Sequence, residues 1–114
     1  MNVTEKREGE ARVLSLRGDA DLAAVPVIQE HLHAAMAEMV PYLVIDFTGT
    51  DFVNTPVWAL VVEYYQHTLK TGTRLALAGL HGRVLASFEI VRLGEFVKSH
   101  ATVEEALGFD SVRP

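Results

Sequence analysis

The segment Tyr42-Leu43-Val44-Ile45-Asp46-Phe47 constrains this chain most, because it is almost unbroken in apolar character and is closed by Gly49. A half-exposed strand alternates apolar and polar residues, and an amphipathic helix spaces its apolar residues three and four apart. This run does neither. It suits a strand buried on both faces, as in a parallel sheet covered by helices.

The flanking segments agree with that reading. Val25, Ile28, Leu32, Ala35 and Met39 lie three and four apart on one helical face, with Gln29, Glu30 and His33 off it. Pro26 is acceptable in a first turn only, so the helix begins within a residue or two of it, and Pro41 ends it. Thr55-Pro56 opens a second helix, Val57 to about Lys70, stopped by Gly72. Val84, Leu85, Phe88 and Val91 mark a third, with Gly94 as its expected C-terminal cap. Thr102 and Glu105 form a capping box that opens a last short helix, each side chain satisfying the other's free backbone N–H. Strands are expected at Val3–Glu8 on an edge, at Ala11–Leu16 up to Gly18-Asp19, at Arg74–Ala78, and at Phe96-Val97. Gly9-Glu10 suits a hairpin turn. Strands alternating with helices predict an α/β fold, a mostly parallel sheet with an N-terminal edge strand and about four flanking helices.

A chain of 114 residues is the size of one domain, and the expectation is a single domain over 1–114. Hydrophobic residues make up 49 %, enough for a packed core. The net charge of -5, with ten scattered basic residues, argues against binding nucleic acid or an anionic membrane surface. There is no cysteine, which excludes disulfides, thiolate metal sites and cysteine nucleophiles and suits a reducing cytoplasm. Met1 to Glu10 is too polar for a signal peptide, and the longest apolar run, Val57 to Val62, is too short to span a bilayer.

Catalytic signatures are missing. No G-x-G-x-x-G, phosphate-binding loop or G-x-S-x-G stands in the chain. His31, His33, His67, His81 and His100 include no i, i+4 pair, and His33 with Glu30 reads as a solvated surface pair. No metal or cofactor is expected. Asp19, Asp21, Asp46 and Asp51 raise paired-carboxylate chemistry, since strand ends in a parallel sheet converge on one rim. A general acid also needs a substrate pocket, so a deep cleft joining Asp21 and Asp46 would separate an enzyme from a binding protein. The expectation is no enzyme.

Several segments together resemble the STAS domain family, of the anti-sigma factor antagonist type. Leu16-Arg17-Gly18-Asp19-Ala20-Asp21-Leu22 is similar to the family's G-x-x-D turn. Tyr42 to Phe47, followed by Gly49-Thr50-Asp51-Phe52-Val53-Asn54-Thr55, resembles its central signature, a buried strand ending in Asp and a loop leading into D-S-x-G or D-T-x-G. Gly72, Leu75 to Leu80, Val84 to Leu93 and Thr102 to Leu107 fall where the family has its later strand and helices.

The resemblance implies function by contact. Family members of this size bind an anti-sigma factor, a small histidine-kinase-like ATPase, and thereby control transcription. Phosphorylation of a Ser or Thr at the helix start breaks the contact. Residue for residue, Thr55 stands at the phospho-acceptor, and Asp21, Asn54, Pro56, Val57 and Trp58 at partner-binding positions. The family also includes accessory subunits bound to the ATPase of lipid-transport complexes, which is the alternative. Both monomer and dimer are compatible with the sequence. From the residues themselves, Thr55 before Pro56 reads as an N-cap, and Trp58 reads either as an exposed anchor or as core. Asn54, Pro56 and Val57 depart from the family motif, so the resemblance also admits a partner-binding form that is not phosphorylated.

Overall fold

In the computed structural model, which describes residues 1–111, the apolar run becomes β3 (Tyr42–Asp46), at the centre of a six-stranded sheet. The other strands are β1 (Asn2–Glu8), β2 (Ala11–Ala20), β4 (Thr50–Val53), β5 (Arg74–Ala78) and β6 (Lys98–His100). The helices are α1 (Val25–Ala37), α2 (Thr55–Thr71), α3 (Gly82–Ile90) and α4 (Val103–Ser111). The strand order is β1-β2-β3-β5-β6, with β4 beside the far end of β2. The β1–β2 hairpin is antiparallel and the other pairings are parallel. The expected span reached Pro114, and residues 112–114 lie outside those described.

Both faces of β3 are covered, as its composition requires. Leu43, Ile45 and Phe47 join Leu14, Leu16 and Leu77 against Ile28 and Leu32 of α1, Val57, Val61 and Tyr64 of α2, and Val84 and Phe88 of α3. Tyr42 and Val44 turn the other way, with Val13, Ala76 and Ala78, onto Val103, Ala106 and Leu107 of α4. Tyr42 Oη donates to the Ala106 carbonyl at 2.9 Å and fixes α4 to the sheet. The result is a single compact α/β domain with three helices on one face and one on the other.

Several boundaries differ from the sequence expectation. The second strand does not end at Gly18-Asp19. Its register shifts there and it continues to Ala20, with β4 as a parallel neighbour where a loop was expected. The first helix stops at Ala37, ahead of Pro41, because Met39 turns the chain with a φ of 52°. Gly94 is not the cap of α3: the helix ends at Ile90, and Arg92 takes the left-handed conformation with φ 59°. The last strand is Lys98–His100 and not Phe96-Val97, and Phe96 stays exposed. Gly72 does end α2 as expected, with φ 77° and its N–H on the Thr68 carbonyl at 2.9 Å. Thr102 caps α4 through the Glu105 N–H at 3.1 Å, while the Glu105 carboxylate accepts from Ala101, one residue earlier than the reciprocal bond expected.

Tyr64 carries a pH dependence. It is fully buried, and among the described residues its hydroxyl has no hydrogen-bond partner. Burial pushes its pKa up to about 12, against an opposing pull from Arg12. The unfolded chain releases this proton near pH 10, so between about pH 10 and 12 the folded state binds more protons and stability falls as pH rises. The contribution is complete below pH 10. Urea unfolding of wild type and Tyr64→Phe should therefore diverge across that window, with wild type losing about 2–3 kcal/mol more. Identical pH slopes for the two proteins would overturn this assignment.

Candidate functional site

The expected site residues lie on the rim formed by the C-terminal ends of the parallel strands. Three hydrogen bonds bring the two segments together. The Gly18 N–H donates to the Gly49 carbonyl at 2.9 Å. The buried Thr50 hydroxyl donates to the Leu16 carbonyl at 2.6 Å. Ala20 stands opposite Val53, and the Asn54 N–H reaches the Ala20 carbonyl at 2.8 Å. The turn at Asp21 and the start of α2 are thereby side by side. Asp21 is exposed, and its carboxylate accepts the Ala24 N–H at 3.1 Å, capping the 3₁₀ turn Leu22–Ala24.

Thr55 is exposed, and Asn54 and Pro56 are half-buried beside it. Thr55 is not the N-cap. It is the first residue of α2, and Asn54, extended at φ -79° and ψ 149°, holds the cap position without a side-chain bond to the helix. Expecting Thr55 to support the helix through its hydroxyl is thus corrected: truncating it to Ala should change stability by no more than about 0.5 kcal/mol. No acidic residue occupies the first turn of α2, so an added negative charge there meets the favourable end of the helix dipole. Pro56 contributes no N–H, and the Val57 N–H is bonded to the Asn54 carbonyl at 2.9 Å.

Two of the expected contact residues point inward. Val57 is 1 % exposed and Trp58 2 %. Trp58 packs between Phe47 and Phe88, with ring centroids 5.4 and 5.7 Å away, and its indole N–H donates to Ser87 Oγ at 2.7 Å. The choice between anchor and core is settled as core, because the indole donor finds its partner inside the protein. Neither side chain is available to a partner. The exposed apolar surface of the rim comes instead from Leu22, 66 % exposed, and Phe52, 36 % exposed. Leu22 was not singled out from the sequence, since a lone Leu after a turn carries no signal of exposure.

The carboxylates do not assemble a catalytic pair. Asp46 accepts from the Thr48 N–H at 3.0 Å, the Thr48 hydroxyl at 2.6 Å and the Ser15 hydroxyl at 3.2 Å. Those bonds hold the β3–β4 turn. Asp46 lines an open pocket with Thr48, Thr102 and Glu104 on the α4 side, and Asp21 is not part of it. His33 pairs with Glu63 of α2 at 3.0 Å and not with Glu30 as expected. Among the described residues, no three His, Asp or Glu side chains are placed to hold a metal ion. No helix among them is long and apolar enough to cross a membrane.

The mostly parallel sheet and its four flanking helices form the fold of a known domain type. The chain belongs to the STAS domain family, whose model matches residues 2–106. Among curated protein sequences, none matches. Solved structures do. An anti-sigma factor antagonist from Mycobacterium paratuberculosis is 19 % identical, with a TM-score of 0.88, over 99 % of this chain and 94 % of that one. The phosphorylated form of the Bacillus cell fate determinant SpoIIAA is 23 % identical, with a TM-score of 0.75, over 98 % of this chain and all of that one. An anti-sigma-factor antagonist (STAS) domain protein from Planctomyces limnophilus is 20 % identical, with a TM-score of 0.77, over 92 % of this chain and 93 % of that one. At such identities the likeness carries the fold.

Proposed function

We propose that this chain is a non-enzymatic interaction regulator of the anti-sigma factor antagonist type, acting in the bacterial cytoplasm. It binds a kinase-like anti-sigma factor and so controls transcription, and phosphorylation of Thr55 breaks the contact. The observation that carries this reading is the exposed rim on which the Asp21 turn and Thr55 are joined through the 2.8 Å bond from Asn54 to Ala20. Asp21, Asn54 and Thr55 supply the polar contact surface, with Pro56 beside them. Val57 and Trp58 support it from beneath. The solved structures of similar fold support this reading over the accessory-subunit alternative.

The physical basis of the switch is charge. A phosphate adds about -2 at pH 7 and three acceptor oxygens to a surface that already holds Asp19, Asp21 and Asp51. Placed at the start of a helix, it leaves the fold undisturbed and alters only what a partner meets. The test begins with a pull-down from the native host, which identifies the anti-sigma factor, followed by incubation with it and ATP. Mass spectrometry should then find one phosphate, on Thr55. Thr55→Glu should weaken binding about tenfold or more while leaving Tm nearly unchanged. Undiminished binding by Thr55→Glu, together with an unmodified Thr55, would sink the switch.

A further inference from the structure

A phosphate at Thr55 would stand among carboxylates, and Arg83 is a cation close to the strand that leads to it. Arg83 lies in the first turn of α3 and is exposed. Its guanidinium carbon sits 5.8 Å from the ring centroid of Phe52, in the strand that leads directly into Asn54 and Thr55. Helix α3 packs against β4, the strand that leads into α2, and both helices lie on the same face of the sheet. Trp58 and Ser87 join them at 2.7 Å. One helical turn, about 3.6 residues, back from that bond leads to Asn54 and Thr55 on α2 and to Arg83 and Val84 on α3.

Among the described residues Arg83 makes no ion pair with a carboxylate, whereas Arg12 is paired with Glu5 and Glu38. At 5.8 Å from the Phe52 ring the Arg83 guanidinium has no carboxylate partner among the described residues, and its N–H groups form a fork that matches phosphate. We propose that Arg83 is the intramolecular receptor of the Thr55 phosphate, drawn from Phe52 onto the phosphate oxygens when the switch is thrown. The inference rests on Thr55 being the modified residue. It adds that modification changes the rim at two places: a phosphate appears at Thr55, and the Phe52 ring loses its cation.

The test uses the full chain with phosphothreonine installed at position 55 during translation, so that it does not depend on any kinase. Titration by ³¹P NMR reads the second ionisation of the phosphate, ordinarily near pH 6. A cation within pairing distance favours the dianion. The midpoint in the wild-type background should therefore lie about half a unit or more below that of Arg83→Gln, and the gap should narrow in 1 M salt. Arg92→Gln, at the far end of α3, should titrate like wild type. Coincident curves for wild type and Arg83→Gln would overturn the assignment, and so would an equal shift from Arg92→Gln, which would reveal only a general charge effect. Failure of a kinase to modify Thr55 would count against the switch alone and leave this titration readable.

Discussion

Ile45→Asp should leave no cooperatively folded protein. Ile45 is 1 % exposed and stands in the central strand, opposite Leu14 on one side and Leu77 on the other. Its side chain faces the core shared with α1, α2 and α3. A carboxylate there would lose its hydration and gain no donor, at a cost of several kcal/mol even after relaxation. The whole stability of such a domain is about 5–15 kcal/mol. The lost packing of the isoleucine adds about 2–5 kcal/mol. Far-ultraviolet circular dichroism and urea titration at pH 7 would show the loss of the transition. A cooperative transition of near wild-type midpoint would mean that β3 is not central.

Gly79→Ala should cost about 2–4 kcal/mol and lower Tm by roughly 10 °C or more. Gly79 follows β5 with φ 74°, a conformation that an alanine adopts under strain. An added Cβ would also stand 2.3 Å from Thr48 Oγ1 and 2.8 Å from the Thr48 backbone nitrogen. Thr48 cannot easily yield, because its hydroxyl and N–H hold Asp46 and its carbonyl meets His81 Nε2 at 3.1 Å. Gly72→Ala is the matched comparison, since φ there is 77° but a Cβ meets nothing within 4 Å. Gly72→Ala should therefore cost only the backbone part, about 1 kcal/mol. Equal costs at the two positions would show that the close approach to Thr48 is relieved elsewhere.

The architecture was legible where burial has one simple cause. A strand covered on both faces must be apolar on both faces, and Tyr42 to Phe47 announced that. Helix α1 showed its stripe, and α2 was bounded by Pro56 and Gly72. What escaped was structure whose polarity comes from local bonding. Strand β4 reads Thr-Asp-Phe-Val and looks like a loop, yet Thr50 is buried because its hydroxyl is satisfied by the Leu16 carbonyl. The end of β2 looks like a turn because the register shift after Gly18 interrupts the alternation. Gly94 drew the cap assignment by residue type, although Arg92 takes the left-handed position. At the candidate site, the convergence of Asp21 and Thr55 on one rim followed from the parallel strand order, although the bonds that join them come from the β2–β4 pairing, which was unforeseen. The burial of Trp58 did not, because it depends on Ser87 and Phe88 of a later helix. The Arg83–Phe52 contact left no local trace for the same reason.

The stitching of β2 to β4 has a thermodynamic consequence for association. Segments that present polar groups to a partner are commonly mobile loops, and immobilising them opposes binding by about 0.5–1.5 kcal/mol for each rotamer-rich side chain. Here Gly18, Thr50 and Asn54 are hydrogen-bonded across the two segments as continuations of the sheet. Folding itself has already removed their backbone freedom. A protein docking on this rim meets a surface in its final shape, so little conformational entropy remains to be lost. Its dwell time would then be governed by the few groups at the surface, which is where the phosphate proposed at Thr55 would act.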